Sequence, residues 1–485
     1  MVSAGLQVAL TRRTVTPAGL WVFGAAASAP LVVLVGGIPA IYATTGVVAL
    51  PLTYVLVAVG VALLAVGYTA MAARVGHPAA YYAILARGVG PGWGVAAGMV
   101  ALVAYGAIQT SLYGLLGGTL AGAFGGAWWV YAAVALAVVG ALGVRTIVLS
   151  TRVLGTVLVV SLLIVVVFVV AGASQPAAGA VSWEGFEVSG LAVTGIGGAV
   201  AFVVASLMGV DAAGSFGEES IDKTSIGRAM IGAALVLGGA YALAAWATGV
   251  AVGPGSVAEQ AADPGLPFAV LERAGGWWVG AAAGVLLVFA IITSMVAFHC
   301  VFARYVFAMA RERTLPVGLA RGGSGKRVKA PRNGSLTQTV VAAGVVAGFG
   351  VAGLDPIGQM FTWLSSLGAM GLLSLLLAAS VAALKAPPEV SGPRPGVWQW
   401  RLAPFLGSLA GCVLLGLMIL NAGPLLGAAP GSAYPYLLPV ILLGVAGLGG
   451  MWAGHLRQVR PEVHAGIGHG TPPTNAVPDD VDFNI

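Results

Sequence analysis

The sequence predicts an all-α polytopic membrane protein of about twelve transmembrane helices. Of its 485 residues, 59% are hydrophobic and only 8% charged, against about 25% charged in soluble domains. Uncharged runs of about 20 residues, the length needed to cross a hydrocarbon core of ~30 Å, recur along the whole chain. The 74 glycines suit helices packed backbone to backbone. Pairs such as Gly94/Gly98, Gly114/Gly118 and Gly280/Gly284 have the GxxxG spacing of such contacts and are read as packing within the chain.

Taken in order, the expected spans cover residues 20–48, 51–73, 92–122, 127–145, 153–172, 191–217, 229–252, 277–303, 334–353, 356–384, 402–421 and 435–456. The first apolar stretch is far longer than a signal-peptide core and reads as a retained span. Residues 1–19 form an N-terminal tail, 385–401 a loop, and 459–485 a polar tail expected to be disordered. An even number of spans puts both termini on one side. With this topology 21 of the 22 Lys and Arg residues fall on the N-terminal side and only Arg273 on the other. The positive-inside rule then makes both termini cytoplasmic, in an inner membrane. The segment from Arg304 to Arg332 holds the densest basic run and reads as a cytoplasmic loop.

Two spans look interrupted. Leu20 to Leu50 carries no charge, but as one straight helix it would be about 46 Å long, so a break is expected at Gly36-Gly37-Ile38-Pro39. Near Met208-Gly209-Val210-Asp211, Asp211 is the only ionisable side chain between Ser189 and Gly217. A carboxylate at the bilayer centre costs about 2.5–3.5 kcal/mol on insertion scales, and the surrounding glycines allow the backbone to come free of its helix. One interrupted segment opens the chain and the other opens its second half, the pattern of transporters built from inverted repeats. On this reading residues 20–384 form a ten-helix core, with repeats at about 20–172 and 191–384, and residues 402–458 add helices 11 and 12.

Freed backbone at such breaks offers amides on one half-helix and carbonyls on the other, which matches a zwitterion. The amides near Gly36, Gly37, Ile38 and Pro39 would take a carboxylate. The carbonyls near Met208, Gly209 and Val210, with the Asp211 carboxylate, would take an ammonium. The alternative for Asp211 is a protonated acid that caps a kink. Gln109 and Trp363 are further candidates for the cavity wall. Thr293 and Ser294 lie near the midplane, where hydroxyl and carbonyl oxygens suit a sodium ion. His299 is a candidate proton relay or a satisfied structural histidine. Glu218 and Glu219 follow the sixth span, where ion pairs with Arg74, Arg87 or Arg145 would hold an inner gate, the alternative being solvated charge.

Several functions find no support. The basic residues, net +6, are spread over short loops and form no nucleic-acid stripe. Gly323 to Lys326 lacks the first glycine and the Ser or Thr of a phosphate-binding loop. Cys300 and Cys412 fall within spans, which leaves no disulfide framework, and His464 and His469 are too isolated for a metal site. No acid cluster or ligand set of a membrane-embedded transferase is present. No cofactor or metal is expected, and the sequence does not choose between a proton and sodium as coupling ion.

At these positions the chain resembles the amino acid-polyamine-organocation permeases over nearly its whole length. Gly36-Gly37-Ile38-Pro39 is similar to their helix 1 break, Gly67 to Gly88 to the loop into helix 3, and Gly143-Val144-Arg145 to the turn after helix 4. Leu207 to Asp211 resembles the Gly-hydrophobic-acid break of helix 6, and Arg304 to Pro316 the signature closing helix 8. Ala205 stands where many members place an aromatic lid, with Phe202 one turn earlier. The resemblance implies the LeuT-like fold of two inverted five-helix repeats plus two helices. It also implies substrate between helices 1, 3, 6, 8 and 10, and secondary transport of amino acids by alternating access. A polyamine or other organic-amine carrier, or a non-transporting nutrient receptor of the same fold, remains open at this point.

Overall fold

Pro30 decides where the first span breaks. The computed structural model describes residues 15–144, 147–320, 331–385, 396–428 and 432–470. In it the first span, Pro17–Thr45, begins as a helix over Pro17–Ala27, N-capped by the Thr16 hydroxyl, which accepts from the Gly19 amide at 3.1 Å. The helix stops at Ser28, and Ala29 adopts a left-handed conformation with φ 43°. Pro30 disfavours helical backbone at the residue before it and brings no N–H of its own, so the chain turns there and restarts. The break is therefore at Ser28-Ala29, about two turns before the Gly36-Gly37-Ile38-Pro39 stretch where it was expected. That stretch stays helical because a π-turn over Val33–Gly37 precedes Pro39. The wider turn accommodates the ring against the carbonyls of the preceding turn.

The sixth span, Ile196–Phe216, breaks where the sequence indicates. An α-helix over Ile196–Leu207 ends at Met208, which is extended, and a 3-10 helix follows over Val210–Phe216. Gly209 sits between them with φ 115°, and a Cβ there would lie 3.1 Å from both Ala27 and the Phe298 ring. Glycine is needed on both counts. The two breaks touch: the Ser28 hydroxyl lies 3.4 Å from the Met208 carbonyl, and a Cβ on Gly24 would meet the Val210 carbonyl at 2.8 Å.

The remaining spans are Leu50–Val75, Pro91–Phe124, Trp128–Gly143, Thr151–Ser174, Ser225–Val252, Trp277–Arg311, Arg332–Val351, Pro356–Lys385, Trp398–Leu420 and Tyr434–Val459. Among the described residues, eleven helices are long and apolar enough to cross a membrane. The fourth, Trp128–Gly143, has 16 residues, about 24 Å, and is shorter than the hydrocarbon core. Spans one to three, six to eight and ten are 61–78% buried over their apolar windows, whereas the fifth, ninth, eleventh and twelfth are 22–33% buried. The first set forms the core. The second presents apolar faces such as Val159, Leu163, Val340 and Leu443 outward, as lipid requires.

Two expectations about the connections are corrected. The eighth span runs to Arg311, so Arg304 and Arg311 are buried helix residues and not part of a loop. The C-terminal tail is ordered as far as Gly470: a short helix over Pro461–Ala465 leads to a turn whose Ile467 is fully buried. Residues 471–485, Gly323 to Lys326 and Arg145 lie outside the described residues.

A candidate substrate site at the two helix breaks

A cavity of about 270 Å³ lies beside the touching breaks, between spans one, three, six, eight and ten. Ser28 and Ala29 of the first break and Met208 of the second border it. Ile108 and Ser111 of the third span, Phe202 and Ser206 of the sixth, Ser294 and Phe298 of the eighth, and Phe361 and Ser365 of the tenth also line it. It widens away from the N-terminal side of the molecule, through the exposed Gly36 and Ala40 to Ile357.

On the N-terminal side the same spans are packed shut. Asp211, 2% exposed, accepts hydrogen bonds at Oδ2 from the Tyr105 hydroxyl at 2.5 Å and the Tyr81 hydroxyl at 2.9 Å, and at Oδ1 from the Gly209 amide at 3.2 Å. Tyr81 belongs to a buried helix, Ala80–Gly88, lying between the second and third spans. Its amide donates to the Tyr305 hydroxyl of the eighth span at 3.1 Å. Beyond Asp211, Glu219 pairs bidentately with Arg304, at 2.7 and 3.0 Å, with both side chains only 4% exposed. Arg304 also lies 4.3 Å over the Phe216 ring. Glu218 accepts from Arg311 through both carboxylate oxygens. The expected partners Arg74 and Arg87 are not the ones used: Arg74 sits 4.7 Å over the Trp400 ring. The reason is the extra length of the eighth span, whose last turns bring Arg304 and Arg311 alongside the end of the sixth. Backbone bonds from Val15 to Glu219 and from Ile221 to Val15, at 2.9 and 3.1 Å, tie Val15 beside this seal.

Of the residues singled out from the sequence, Gly36, Gly37, Phe202, Met208 and Ser294 reach the cavity. Ile38, Pro39, Gly209, Val210 and Asp211 are packed behind the breaks and do not line it. Gln109 points elsewhere, donating to the Tyr113 hydroxyl at 2.8 Å and accepting from Gln338 of the ninth span at 2.7 Å. Trp363 packs between Phe349 and Tyr434. Thr293 bonds the Ala290 carbonyl of its own helix, whereas Ser294 donates across to the Ala27 carbonyl at 2.7 Å, the atom left unpaired where the first helix stops. His299 is buried, with Nε2 2.7 Å from the Ser335 hydroxyl, while Nδ1 makes no hydrogen bond among the described residues. The tyrosine pocket around Asp211 was missed. Its signal, Tyr81-Tyr82 in an otherwise apolar stretch, is visible, but nothing local says that the first of these reaches an acid 130 residues on.

Broken first and sixth helices that meet beside a cavity between five spans, sealed on one side, define a polytopic membrane transporter of the broken-helix kind. The family model described as amino acid permease matches residues 20–446, and the chain belongs to that family, within the amino acid-polyamine-organocation superfamily. The resemblance read from the sequence is thus borne out for family and fold class. No curated protein matches the chain.

Proposed function

We propose that this permease carries amino acids across the cytoplasmic membrane by alternating access, with the cavity as its substrate site and both termini in the cytoplasm. The observation that carries the reading is the junction of the two breaks at a cavity that opens one way and is sealed the other. Family membership supports the solute class.

The helix that resumes at Pro30 presents the amide end of its dipole at the junction, which suits the substrate carboxylate. The Ile196–Leu207 helix ends there with its carbonyls, which suit the ammonium. This shifts the carboxylate clamp from the Gly36–Pro39 region to the turn after Ala29. Gly36 and Gly37 then serve as wall, where the lack of side chains leaves room. Asp211 holds the sealed half together instead of meeting the ammonium. Glu219–Arg304 and Glu218–Arg311 form the inner gate, which must part for release.

Uptake of a labelled amino acid panel into proteoliposomes, with sodium and pH gradients varied, tests the proposal. Saturable, substrate-selective uptake is expected. Binding without uptake would make the protein a receptor, and neither binding nor uptake of any amino acid would reject the reading.

A further inference from the structure

Among the described residues, no charged side chain lines the cavity. Its side-chain polar groups are hydroxyls; Ser366 donates to no group among the described residues, and the hydrogens of the others are already engaged: Ser28 at the Gly24 and Met208 carbonyls, Ser111 at Ile108, Ser206 at Phe202, Ser294 at Ala27, Thr362 at Ile357 and Ser365 at Thr362. What they present to a ligand is lone pairs. The rest of the wall is apolar, with Leu112, Leu115, Phe298 and Phe361 prominent. One zwitterion can be met here by backbone ends and hydroxyl lone pairs, but a second ionic group would be enclosed without a counter-charge, which is strongly unfavourable. The volume, about 270 Å³, falls just below the range of about 300–1,000 Å³ typical of sites for drug-sized ligands. Resting on the substrate site proposed above, we infer that the substrates are single zwitterionic amino acids with uncharged, apolar side chains, and that basic or acidic amino acids and polyamines are excluded.

Competition against labelled leucine in proteoliposomes tests this. Valine and phenylalanine should compete, whereas lysine, glutamate and putrescine should be roughly a hundredfold weaker or worse, as expected for an uncompensated buried charge. A Ser365→Asp variant, or Thr362→Asp if the first does not insert, should gain lysine binding. If lysine, glutamate or putrescine competes within about tenfold of leucine, the inference is overturned while the transport reading stands. If no amino acid is bound at all, the transport reading itself falls.

A different observation carries a second inference. Glu312, directly after the eighth span, collects four donors on its carboxylate: His77 Nε2 at 2.9 Å, the Tyr82 hydroxyl at 2.6 Å, and the amides of Gly468 and Gly470 at 2.8 and 2.7 Å. The last two belong to the C-terminal tail. Val463 and Ile467 are buried, and Gly468 lies so close to the Ala80–Gly88 helix that a Cβ would sit 2.6 Å from Ala86. Two of these anchors, Glu312 and Tyr82, are each one residue from a contact of the seal, since Arg311 pairs with Glu218 and Tyr81 bonds Asp211. We propose that residues 461–470 are a latch that holds the sealed half closed and must release before it opens.

Deleting residues 461–485 should raise counterflow exchange roughly fivefold, as a loss of closed-state bias would. Gly468→Val, which keeps the tail but clashes at Ala86, should act in the same direction. Unchanged or slower exchange in both variants, with the folded protein recovered in normal yield, would overturn the latch.

Discussion

Asp211 and Glu312 are buried carboxylates that both accept from tyrosine hydroxyls and backbone amides, and Glu312 has a histidine partner besides. Asp211 is an acceptor for two phenols and an amide, out of reach of the cavity. We expect Asp211→Asn to leave substrate Kd within about threefold of wild type while lowering stability by about 1.5 kcal/mol, as charge-assisted bonds become neutral ones. Binding titration and thermal unfolding check this together. A ten- to hundredfold loss of affinity at unchanged stability would move Asp211 into the substrate site. Glu312 is buried, which alone would push its carboxyl up, but the hydrogen bond and charge of His77, the Tyr82 hydroxyl and the Gly468 amide outweigh burial and hold it down, from 4.5 to about 2. A carboxyl lowered on folding stabilises the fold above its unfolded value and loses that contribution as pH falls through its folded value. The stability gap between wild type and Glu312→Gln, about 3 kcal/mol by this shift, should therefore be constant above about pH 4.5 and close towards pH 2. Unfolding midpoints measured across that range are the check, and a gap that stays constant down to pH 2 would overturn it.

At the scale of single helices, the breaks and the ion pairs make separate predictions. The first break depends on Pro30, because a proline inside a helix costs about 3 kcal/mol and turns the preceding residue aside. Pro30→Ala removes that constraint and lets Ala29 return to helical backbone, joining Pro17–Ala27 to the helix beyond. Insertion and yield should stay normal while uptake falls at least tenfold, roughly the effect of closing the amide end of the junction. Uptake at the wild-type rate would mean that the break does not depend on Pro30. In the seal, Glu219→Gln strands a buried guanidinium, which typically costs about 3–5 kcal/mol. Replacing both partners, Glu219→Gln with Arg304→Gln, should recover much of that loss. A double variant destabilised by the sum of the two single variants in a double-mutant cycle would show that the two residues act independently.

For the whole molecule the prediction concerns orientation. With Cys300 and Cys412 removed, a Gly318→Cys probe should react with impermeant reagent only from the cytoplasm, and a Glu259→Cys probe only from outside. Both positions are exposed, and they lie on opposite sides of the core. Labelling of Gly318→Cys in intact cells would invert the proposed topology and with it the direction in which the cavity faces. The twelve apolar segments are legible because bilayer thickness imposes its length on each segment separately, and eleven of them meet that length here. The short fourth helix was not distinguishable from the longer spans, since its own residues are as apolar as theirs.

What the sequence determined by itself is what depends on local composition: the membrane class, the approximate spans, the family, and the break at Gly209, where a lone acid among glycines marks backbone that cannot stay helical. The tertiary structure decided everything that depends on which distant residue arrives. Gly36-Gly37-Ile38-Pro39 and Ala29-Pro30 are both plausible interruptions in one dimension, and only the π-turn before Pro39 and the second break packed against Ser28 separate them. The sequence offers Asp211 as a ligand first and a kink cap second, and it contains no sign that Tyr81 and Tyr105 donate to the carboxylate. Arg304 and Arg311 looked like loop charge because charge in a sequence signals water, whereas two carboxylates 85 and 93 residues earlier make their burial possible. Burial, partner and direction are set by packing between spans, and no window along the chain contains both sides of such a contact.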